Sequence, residues 1–351
     1  MPRWCSVVIL FVVVGTTGNG ASEPPGQSIT ASAIRRHTTV LGSDALEGRA
    51  AGSRGGELAA SYLIRQLQSM GLRSFGDRNG FEQRVPLHAT NPEPTSRLEM
   101  RSLGSSHSLR LGDDYLLFTA GSQTWIPRPT PMVFVGYGIV APEFDYNDYQ
   151  DLDVRGKVVV YLTGEPHSDD PDYFKGEEPS VYAAAETKSR IALSRGALGG
   201  LLVPLPDRGI EAAWERTRRE YGFEHLGLAY SLPEHLSALL NPEVARWVFA
   251  DALYDFDQVL AMERTGTLRS FHLPVELSFN GRFRSRDVLS SNIVAVVDGM
   301  VPYLKDTFVL VSAHYDHLGV GPAVAGDAIY NGVVDNALGV ACVLEMAREL
   351  I

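Results

Sequence analysis

Three side chains near the carboxyl end of the sequence have the types and the order expected of a metal site. The apolar run Phe308–Ala313 has the length and β-branching of a buried strand, and His314 follows at its end. Asp316 comes two residues later, and Asp335 lies where a Gly- and Asp-rich loop meets a helical pattern that begins near Leu338. Because ligands gather outside the carboxyl ends of strands in parallel α/β sheets, we expect these side chains at one sheet edge.

The chemistry available to the three residues is metal-assisted hydrolysis. His314 can offer one imidazole nitrogen to a cation, while Asp316 accepts the other ring N–H and fixes the tautomer. Asp335 has two carboxylate oxygens, which could bridge two cations. One histidine with one bridging carboxylate is a common beginning of a two-metal hydrolytic site. A strand-end histidine that is only hydrogen-bonded is the alternative, and the short His-x-Asp spacing does not exclude it.

Longer strings around these residues narrow the choice. They read AHYDHLG over 313–319, GDAIYNG over 326–332 and DNALG over 335–339. Together they resemble the start of the catalytic domain of the M28 metallopeptidases, the aminopeptidase Y-like family with co-catalytic zinc. The resemblance implies two zinc ions, with His314 as a ligand to one, Asp335 bridging both and Asp316 orienting His314. It also implies that metal-activated water removes N-terminal residues from peptides or proteins.

The sequence departs from the family pattern in two ways. Val333 and Val334 stand where the family usually has an Ala and an acidic or amide residue, and Leu338 stands in place of a Ser. These positions supply no ligand, so the metal assignment is unaffected. In the family a Glu-Glu pair, an Asp and a late His lie further along, and the first Glu is the general base. Glu345 and Glu349 are not such a pair, so the general-base Glu is not present in this chain.

Because roughly five protein ligands hold a co-catalytic metal pair, we expect the 351 residues alone to be catalytically inactive, as a truncated catalytic domain. Two alternatives stay open. One is a non-catalytic binding protein that keeps a protease-associated (PA) domain on a degenerate peptidase scaffold. The other is the glutaminyl cyclase branch of the same fold, which uses a single zinc, although the retained strand-end His314 favours two metals.

Composition and the N-terminus indicate the compartment and exclude some partners. The net charge of −11 disfavours nucleic acid and anionic membrane surfaces as partners. Arg3 precedes the apolar run Val7–Val14, which predicts a secretory signal peptide over 1–21 and a secreted or periplasmic protein without a stable membrane anchor. An uncleaved anchor is the alternative. After cleavage Cys342 would remain, and its apolar neighbours predict a buried core thiol.

Residues 22–84 are predicted to be the N-terminal helical segment of the peptidase domain. A helical pattern begins near Ile29, and an amphipathic helix is predicted over Glu57–Met70. The strings LEGRAAG, from Leu46, and ELAASYLIRQLQSMGL, from Glu57, resemble the M28 N-terminal segment, which packs against the catalytic sheet. Arg49 is expected to pair structurally and is left outside the site.

Residues 85–280 are predicted to be an inserted region. Strands at 132–135, 157–161 and 200–203 enclose a helix at 184–195, and the surrounding strings resemble a PA domain with its core at about 130–205. One further helix is predicted over 242–262, and the acidic stretch 144–153 is assigned to a solvated loop rather than a calcium site.

Residues 281–351 are then the N-terminal part of the catalytic domain. The predicted fold class is α/β: the start of a zinc-exopeptidase (phosphorylase/hydrolase-like) mixed-sheet domain with an inserted β-rich PA domain.

Overall fold

The structure is a computed structural model, and it divides the chain into two compact units. It describes residues 9–13, 29–102, 104–119, 125–150, 152–167, 170–176, 178–205, 210–230, 235–304 and 307–351. The terminal unit consists of Arg3–Ala89, Leu226–Ser231 and Arg286–Ile351. The central unit consists of Thr90–His225 and Leu232–Ser285.

The elements are numbered in chain order. The helices are α1 Ala31–Leu41, α2 Arg54–Ser69, α3 Ala185–Ser194, α4 Ile210–Glu220, α5 Pro242–Phe249, α6 Phe256–Arg264 and α7 Leu338–Glu349. The strands are β1 Ile9–Val13, β2 Arg73–Ser74, β3 Glu82–Pro92, β4 Arg97–Ser102, β5 Ser105–Leu109, β6 Tyr115–Thr119, β7 Trp125–Phe134, β8 Val140–Ala141, β9 Tyr146–Asn147, β10 Val158–Leu162, β11 Gly199–Val203, β12 His225–Leu228, β13 Leu236–Leu240, β14 Phe271–Asn280, β15 Phe283–Val297, β16 Val309–Val311, β17 Gly319–Val324 and β18 Asp327–Tyr330.

The terminal unit is built on a mixed sheet in the order β12-β3-β15-β1-β16, with β2 paired to β15. Strand β1 runs parallel to β15 and antiparallel to β16. Residues 293–296 of β15 are buried in succession, as expected for a strand covered on both faces. Strand β16 ends the described strand order, and its Val309 and Leu310 are exposed. The segment that leads to His314 therefore lies at a sheet edge.

Three helices share one apolar core with this sheet. Helix α1 is capped by the Thr30 hydroxyl, which accepts the Ala33 N–H at 3.2 Å, and α2 is capped by Ser53. Their buried residues and those of α7 follow helical spacing, and Leu41, Leu63, Leu67, Val340, Val343 and Leu344 belong to the same core as Ile293. This core links the helix after Asp335 to the N-terminal segment.

The central unit has a sheet in the order β5-β4-β14-β7-β10-β11-β13-β6, in which β7, β10, β11 and β13 run parallel. All of β10 is buried because alternate side chains enter two cores. Val158 and Val160 share a core with residues of α5 and α6, whereas Tyr161 shares the other with Ala192 of α3 and Trp214 of α4. Helices therefore pack with both faces of the sheet.

Three sequence-based predictions are wrong. The run Phe308–Ala313, predicted to be a buried strand, forms only the short strand β16, whose Val309 and Leu310 are exposed because β16 ends the described strand order. The structure has two helices, α5 and α6, where the sequence predicts one helix over 242–262. Helix α5 ends at Phe249, and Asp255 starts α6 because it forms a capping box with Gln258. Cys342 was predicted to be buried, but it is exposed. The core face of α7 runs through Val340, Val343 and Leu344, and Cys342 lies off that face.

The predicted signal peptide 1–21 lies outside the described residues apart from Ile9–Val13, whose backbone forms β1. Within the described ranges, none of the helices has both the length and the apolar character needed to cross a bilayer.

Candidate metal centre

His314 is held at the edge of the terminal sheet by its two neighbours in sequence. Ala313 and Tyr315 are buried in the core of the unit, and the Tyr315 hydroxyl donates to the Ser291 carbonyl at 2.8 Å. Because the flanking side chains point into the core, the His314 imidazole faces the other way, with 19% of its side chain exposed. The segment that follows β16 thus leaves one side of the imidazole accessible.

Asp316 lies beside one nitrogen of that imidazole. Nδ1 of His314 is 3.1 Å from the main-chain carbonyl oxygen of Asp316 and 3.4 Å from its Oδ1. The Asp316 side chain is buried. Hydrogen bonding to Asp316 raises the pKa of His314, and burial opposes this rise. An Nδ1–H directed at Asp316 leaves Nε2 as the nitrogen that faces outward.

Asp335 lies opposite that second nitrogen. Its Oδ1 is 3.0 Å from Nε2 of His314, and its side chain is 55% exposed. Asp335 follows Gly332, which has a φ of 58°, within a π-helical turn over Val333–Ala337, and the Asp335–Asn336 peptide is cis. The Asn336 side chain then accepts the Gly339 N–H at 3.1 Å at the start of α7. The fold thus brings the turn that carries Asp335 next to the segment that carries His314.

The departures from the family pattern lie on the surface of this turn. Val334 is 79% exposed, and Val333 and Leu338 are exposed as well. Their side chains do not displace His314 or Asp335, which remain in contact with each other.

The pair fits two positions of a zinc site. Two ligands about 2.0–2.2 Å from zinc at a tetrahedral angle are about 3.3 Å apart, close to the observed Nε2 to Oδ1 distance of 3.0 Å. An imidazole nitrogen and a carboxylate oxygen are also donors that zinc accepts. Across the described ranges, however, no group of three or more His, Cys, Asp or Glu side chains is arranged to hold a metal. The residues present therefore supply part of a donor set.

Arg49, which the sequence places outside the candidate site, lies in the same neighbourhood. Arg49 is fully buried and hydrogen-bonds to the main chain on both sides of the candidate site. In the sequence Arg49 stands between Gly48 and Gly52, and in the structure both glycines have a positive φ, where the backbone folds tightly around Arg49. Glu345, which was not assigned to the site, instead contacts His37 at 2.9 Å.

The acidic stretch 144–153 is not simply a solvated loop, as its Asp148 shows. Asp148 is partly buried and accepts the N–H groups of Tyr137 and Ile139 and the hydroxyl of Tyr146. Burial raises its pKa to about 6. Its oxygens therefore hold a turn of the central unit together, which a reading based on charge density alone could not show.

The segment that carries the candidate centre matches a known family model, and the chain is similar to solved structures. Residues 292–351 match the family model described as Peptidase family M28. Among solved structures the chain is similar to the aminopeptidase from Aneurinibacillus sp. strain AM-1, with 16% identity and a TM-score of 0.43, covering 91% of this chain and 58% of that one. It is also similar to BSAP, a zinc aminopeptidase from Bacillus subtilis, with 14% identity and a TM-score of 0.34, covering 92% of this chain and 58% of that one.

No curated protein matches the chain. The chain spans 58% of the length of each of these two structures, which is less than two thirds. The match to the family model covers His314, Asp316 and Asp335 together. The segment that carries the candidate metal centre is therefore matched to Peptidase family M28.

Proposed function

We propose that this chain contains part of the catalytic domain of a zinc-dependent aminopeptidase, which removes N-terminal residues from peptides. One observation carries the proposal. The segment matched to Peptidase family M28 is the segment in which Nε2 of His314 and Oδ1 of Asp335 lie 3.0 Å apart. The similar Bacillus subtilis structure is that of a zinc aminopeptidase, which agrees with this choice of metal and reaction.

Each residue has a distinct role in the proposed centre. His314 would bind zinc through Nε2, because its Nδ1 side is engaged by Asp316. Asp335 would bind through its carboxylate, and its exposure leaves the second oxygen accessible to another cation. Zinc, when bound, supplies Lewis-acid chemistry at the scissile carbonyl. The buried Asp316 keeps the His314 ring in one orientation.

We assign no catalytic group to the central unit and propose that it is a PA-type module. Its parallel strands β7, β10, β11 and β13, with helices on both faces, support a self-contained α/β unit that influences substrate access or binds a partner. The run Val7–Val14 supports export of the protein, so we propose a secreted or periplasmic location.

A non-catalytic binding protein is the second candidate. It is favoured by the lack of a three-residue ligand group in the described part of the chain. The two candidates differ in metal binding. The aminopeptidase is expected to bind zinc through His314 and Asp335, and the non-catalytic binding protein is not.

The first experiment measures zinc binding by calorimetry for the chain and for His314→Gln and Asp335→Asn. A matched control pair exists in the same unit, where Nδ1 of His88 lies 3.0 Å from Oδ1 of Asp287 outside the candidate centre. We expect His314→Gln and Asp335→Asn to abolish binding, and His88→Gln and Asp287→Asn to leave it unchanged. Equal loss in both pairs would show that zinc binds nonspecifically to surface His–Asp pairs.

The second experiment measures hydrolysis of an aminoacyl-p-nitroanilide by the protein isolated at its native length. We expect activity that a zinc chelator removes and added zinc restores, and that His314→Gln abolishes. Absence of hydrolysis from a zinc-loaded native protein would favour the binding-protein candidate. Activity that survives chelation would contradict the proposed chemistry altogether.

A further inference from the structure

Arg49 joins the main chain beside His314 to the main chain before Asp335. Its Nε–H donates to the Tyr315 carbonyl at 2.7 Å, and Tyr315 stands between His314 and Asp316. Its NH1 group donates to the Asn331 carbonyl at 2.6 Å, and its NH2 group donates to the Gly332 carbonyl at 2.9 Å. One side chain therefore holds the two segments that carry the candidate zinc ligands.

The same guanidinium also reaches the N-terminal helix. A further NH1 hydrogen bond goes to the carbonyl of Leu41, the last residue of α1. The main chain of Arg49 takes part as well, because its own carbonyl accepts the His317 N–H at 3.2 Å. Arg49 thus contacts three separate parts of the terminal unit, all of them through main-chain atoms.

Tight packing keeps Arg49 in place. A Cβ on the preceding Gly48 would lie 2.5 Å from the carbonyl oxygens of Gly319 and Tyr330, which belong to β17 and β18. A Cβ on Gly319 would lie 2.7 Å from the Cβ of Ala50. The chain on each side of Arg49 therefore fits against the β17–β18 hairpin with no space for an added methyl group. This packing fixes the position of the Arg49 main chain and therefore the direction in which its guanidinium points.

Arginine suits this position better than any other cation. The planar guanidinium has five N–H donors in a fixed fork, so it can bond carbonyls in several directions at once. A lysine has one nitrogen and cannot span the same set. Burial lowers the pKa of Arg49 to about 10, and the nearby Asp316 and Asp335 carboxylates oppose this fall. The group therefore remains a cation at neutral pH and complements the negative charge of the candidate centre.

We propose that Arg49 is a positioning residue that fixes the distance between His314 and Asp335 so that both can bind one zinc ion. This inference rests on the proposed function. Its physical content is that the segment that carries His314 and the segment that leads to Asp335 share one rigid hydrogen-bonding anchor. Without the Arg49 guanidinium the two segments can move independently. The distance between His314 and Asp335 is then no longer fixed, so the affinity for zinc falls.

The test is a zinc titration of the full chain, followed by calorimetry and by the imidazole ¹⁵N resonances of its histidines. Arg49→Met removes every donor, and Arg49→Lys keeps the charge. The control is Arg54→Met, because Arg54 is an exposed arginine of the adjacent helix whose side chain pairs with Glu47. We expect Arg49→Met to weaken zinc binding about 10–100-fold, Arg49→Lys not to restore it, and Arg54→Met to match the wild type.

Folding is checked by circular dichroism before each titration. If Arg49→Met does not fold, Gly48→Ala perturbs the same contact from the hairpin side and should weaken zinc binding while every guanidinium donor remains. Folded Arg49→Met or Gly48→Ala with wild-type zinc affinity would overturn the proposal. Full rescue by Arg49→Lys would also overturn it, because charge alone would then suffice.

The titration separates this inference from the proposed function. If the wild type binds zinc and His314→Gln does not, but Arg49→Met binds normally, only the role of Arg49 is refuted. If the wild type shows no shift of the His314 resonance with zinc, the proposed function fails and the positioning role fails with it.

Discussion

A buried hydrogen-bond chain between α1 and α7 should be a main source of stability in the terminal unit. Nδ1 of His37 lies 2.6 Å from the Tyr62 hydroxyl, and Nε2 lies 2.9 Å from Oε1 of Glu345. The other carboxylate oxygen of Glu345 accepts a hydrogen bond from Arg348. Although burial opposes it, hydrogen bonding from Arg348 and His37 lowers the pKa of Glu345. An ionised Glu345 then accepts the Nε2–H, and Tyr62 donates to Nδ1.

Replacing His37 with alanine should cost about 3 kcal/mol of unfolding free energy. The imidazole is 5% exposed and Glu345 is 1% exposed, so water cannot replace the lost contacts without opening the core. The neutral bond to Tyr62 contributes about 1 kcal/mol, and the bond to the charged Glu345 about 2 kcal/mol. Breaking a buried pair by removing one partner costs about 3–5 kcal/mol, and the remaining Arg348 contact favours the lower end. The control is Arg35→Ala on the exposed face of α1, which should change stability by less than about 0.5 kcal/mol.

The two units allow the effect to be localised. Trp125, Trp214 and Trp247 all belong to the central unit, so tryptophan fluorescence mainly follows its unfolding. Hydrogen exchange of peptides from α1 and α7 follows the terminal unit. We expect His37→Ala to accelerate exchange in both helices about a hundredfold, as 3 kcal/mol requires, and to leave the urea midpoint of the fluorescence transition unchanged.

Two results would refute this reasoning. A loss below about 1 kcal/mol would mean that water satisfies Glu345 without cost. In a double-mutant cycle of His37→Ala and Glu345→Leu, strict additivity would mean that the two side chains do not stabilise each other despite their 2.9 Å contact.

The remaining predictions concern three other positions, Lys188, His225 and Gly332. Lys188 is fully buried and donates to the Tyr137 carbonyl at 2.7 Å, so Lys188→Met should lower the fluorescence midpoint by the equivalent of about 2 kcal/mol while exchange in α1 and α7 stays unchanged. Burial lowers the pKa of His225 to about 4 from its ordinary 6.5, so its contribution to stability is complete above pH 6.5 and is lost as pH falls to about 4. His225→Leu should reduce the slope of stability against pH in that window by up to about 1.4 kcal/mol per unit, and an unchanged slope would contradict the assignment. Gly332 has a φ of 58°, and an added Cβ would lie 2.4 Å from Cγ of His317, so Gly332→Ala should destabilise the terminal unit by about 2 kcal/mol in hydrogen exchange.

Local patterns in the sequence predicted the elements whose determinants are local. The apolar spacing after Leu338 predicts α7, and the helical pattern that begins near Ile29 predicts α1. A prediction from apolar spacing fails at Asp255. The apolar spacing continues from α5 into α6, but the capping box of Asp255 starts a new helix. The sequence predicts a loop where the β17–β18 hairpin lies, because the hairpin turn places Ala325 at a φ of 52°, which is uncommon for a non-glycine residue.

The contacts around the candidate centre could not be predicted in the same way. His314 and Asp316 are neighbours in sequence, and their relation follows from spacing alone. Arg49 and Asn331 are 282 positions apart, and nothing in either neighbourhood identifies the other. In the sequence Asp148 is one of several acidic residues in a row, whereas in the structure it accepts two main-chain N–H groups and has a structural role. Periodicity identifies faces of helices and strands, but it does not identify partners that only the completed fold brings together.

The discontinuity of the terminal unit has a consequence for synthesis. His37 precedes Glu345 by 308 positions, so at about 5–20 residues per second the ribosome makes α7 some 15–60 s after α1. The central unit lies between them in sequence and can fold while α1 still has no partner. During that interval the apolar face of α1 and α2 is uncovered. The terminal unit therefore cannot complete its apolar core until the last segment of the described chain, which includes α7, has been synthesised.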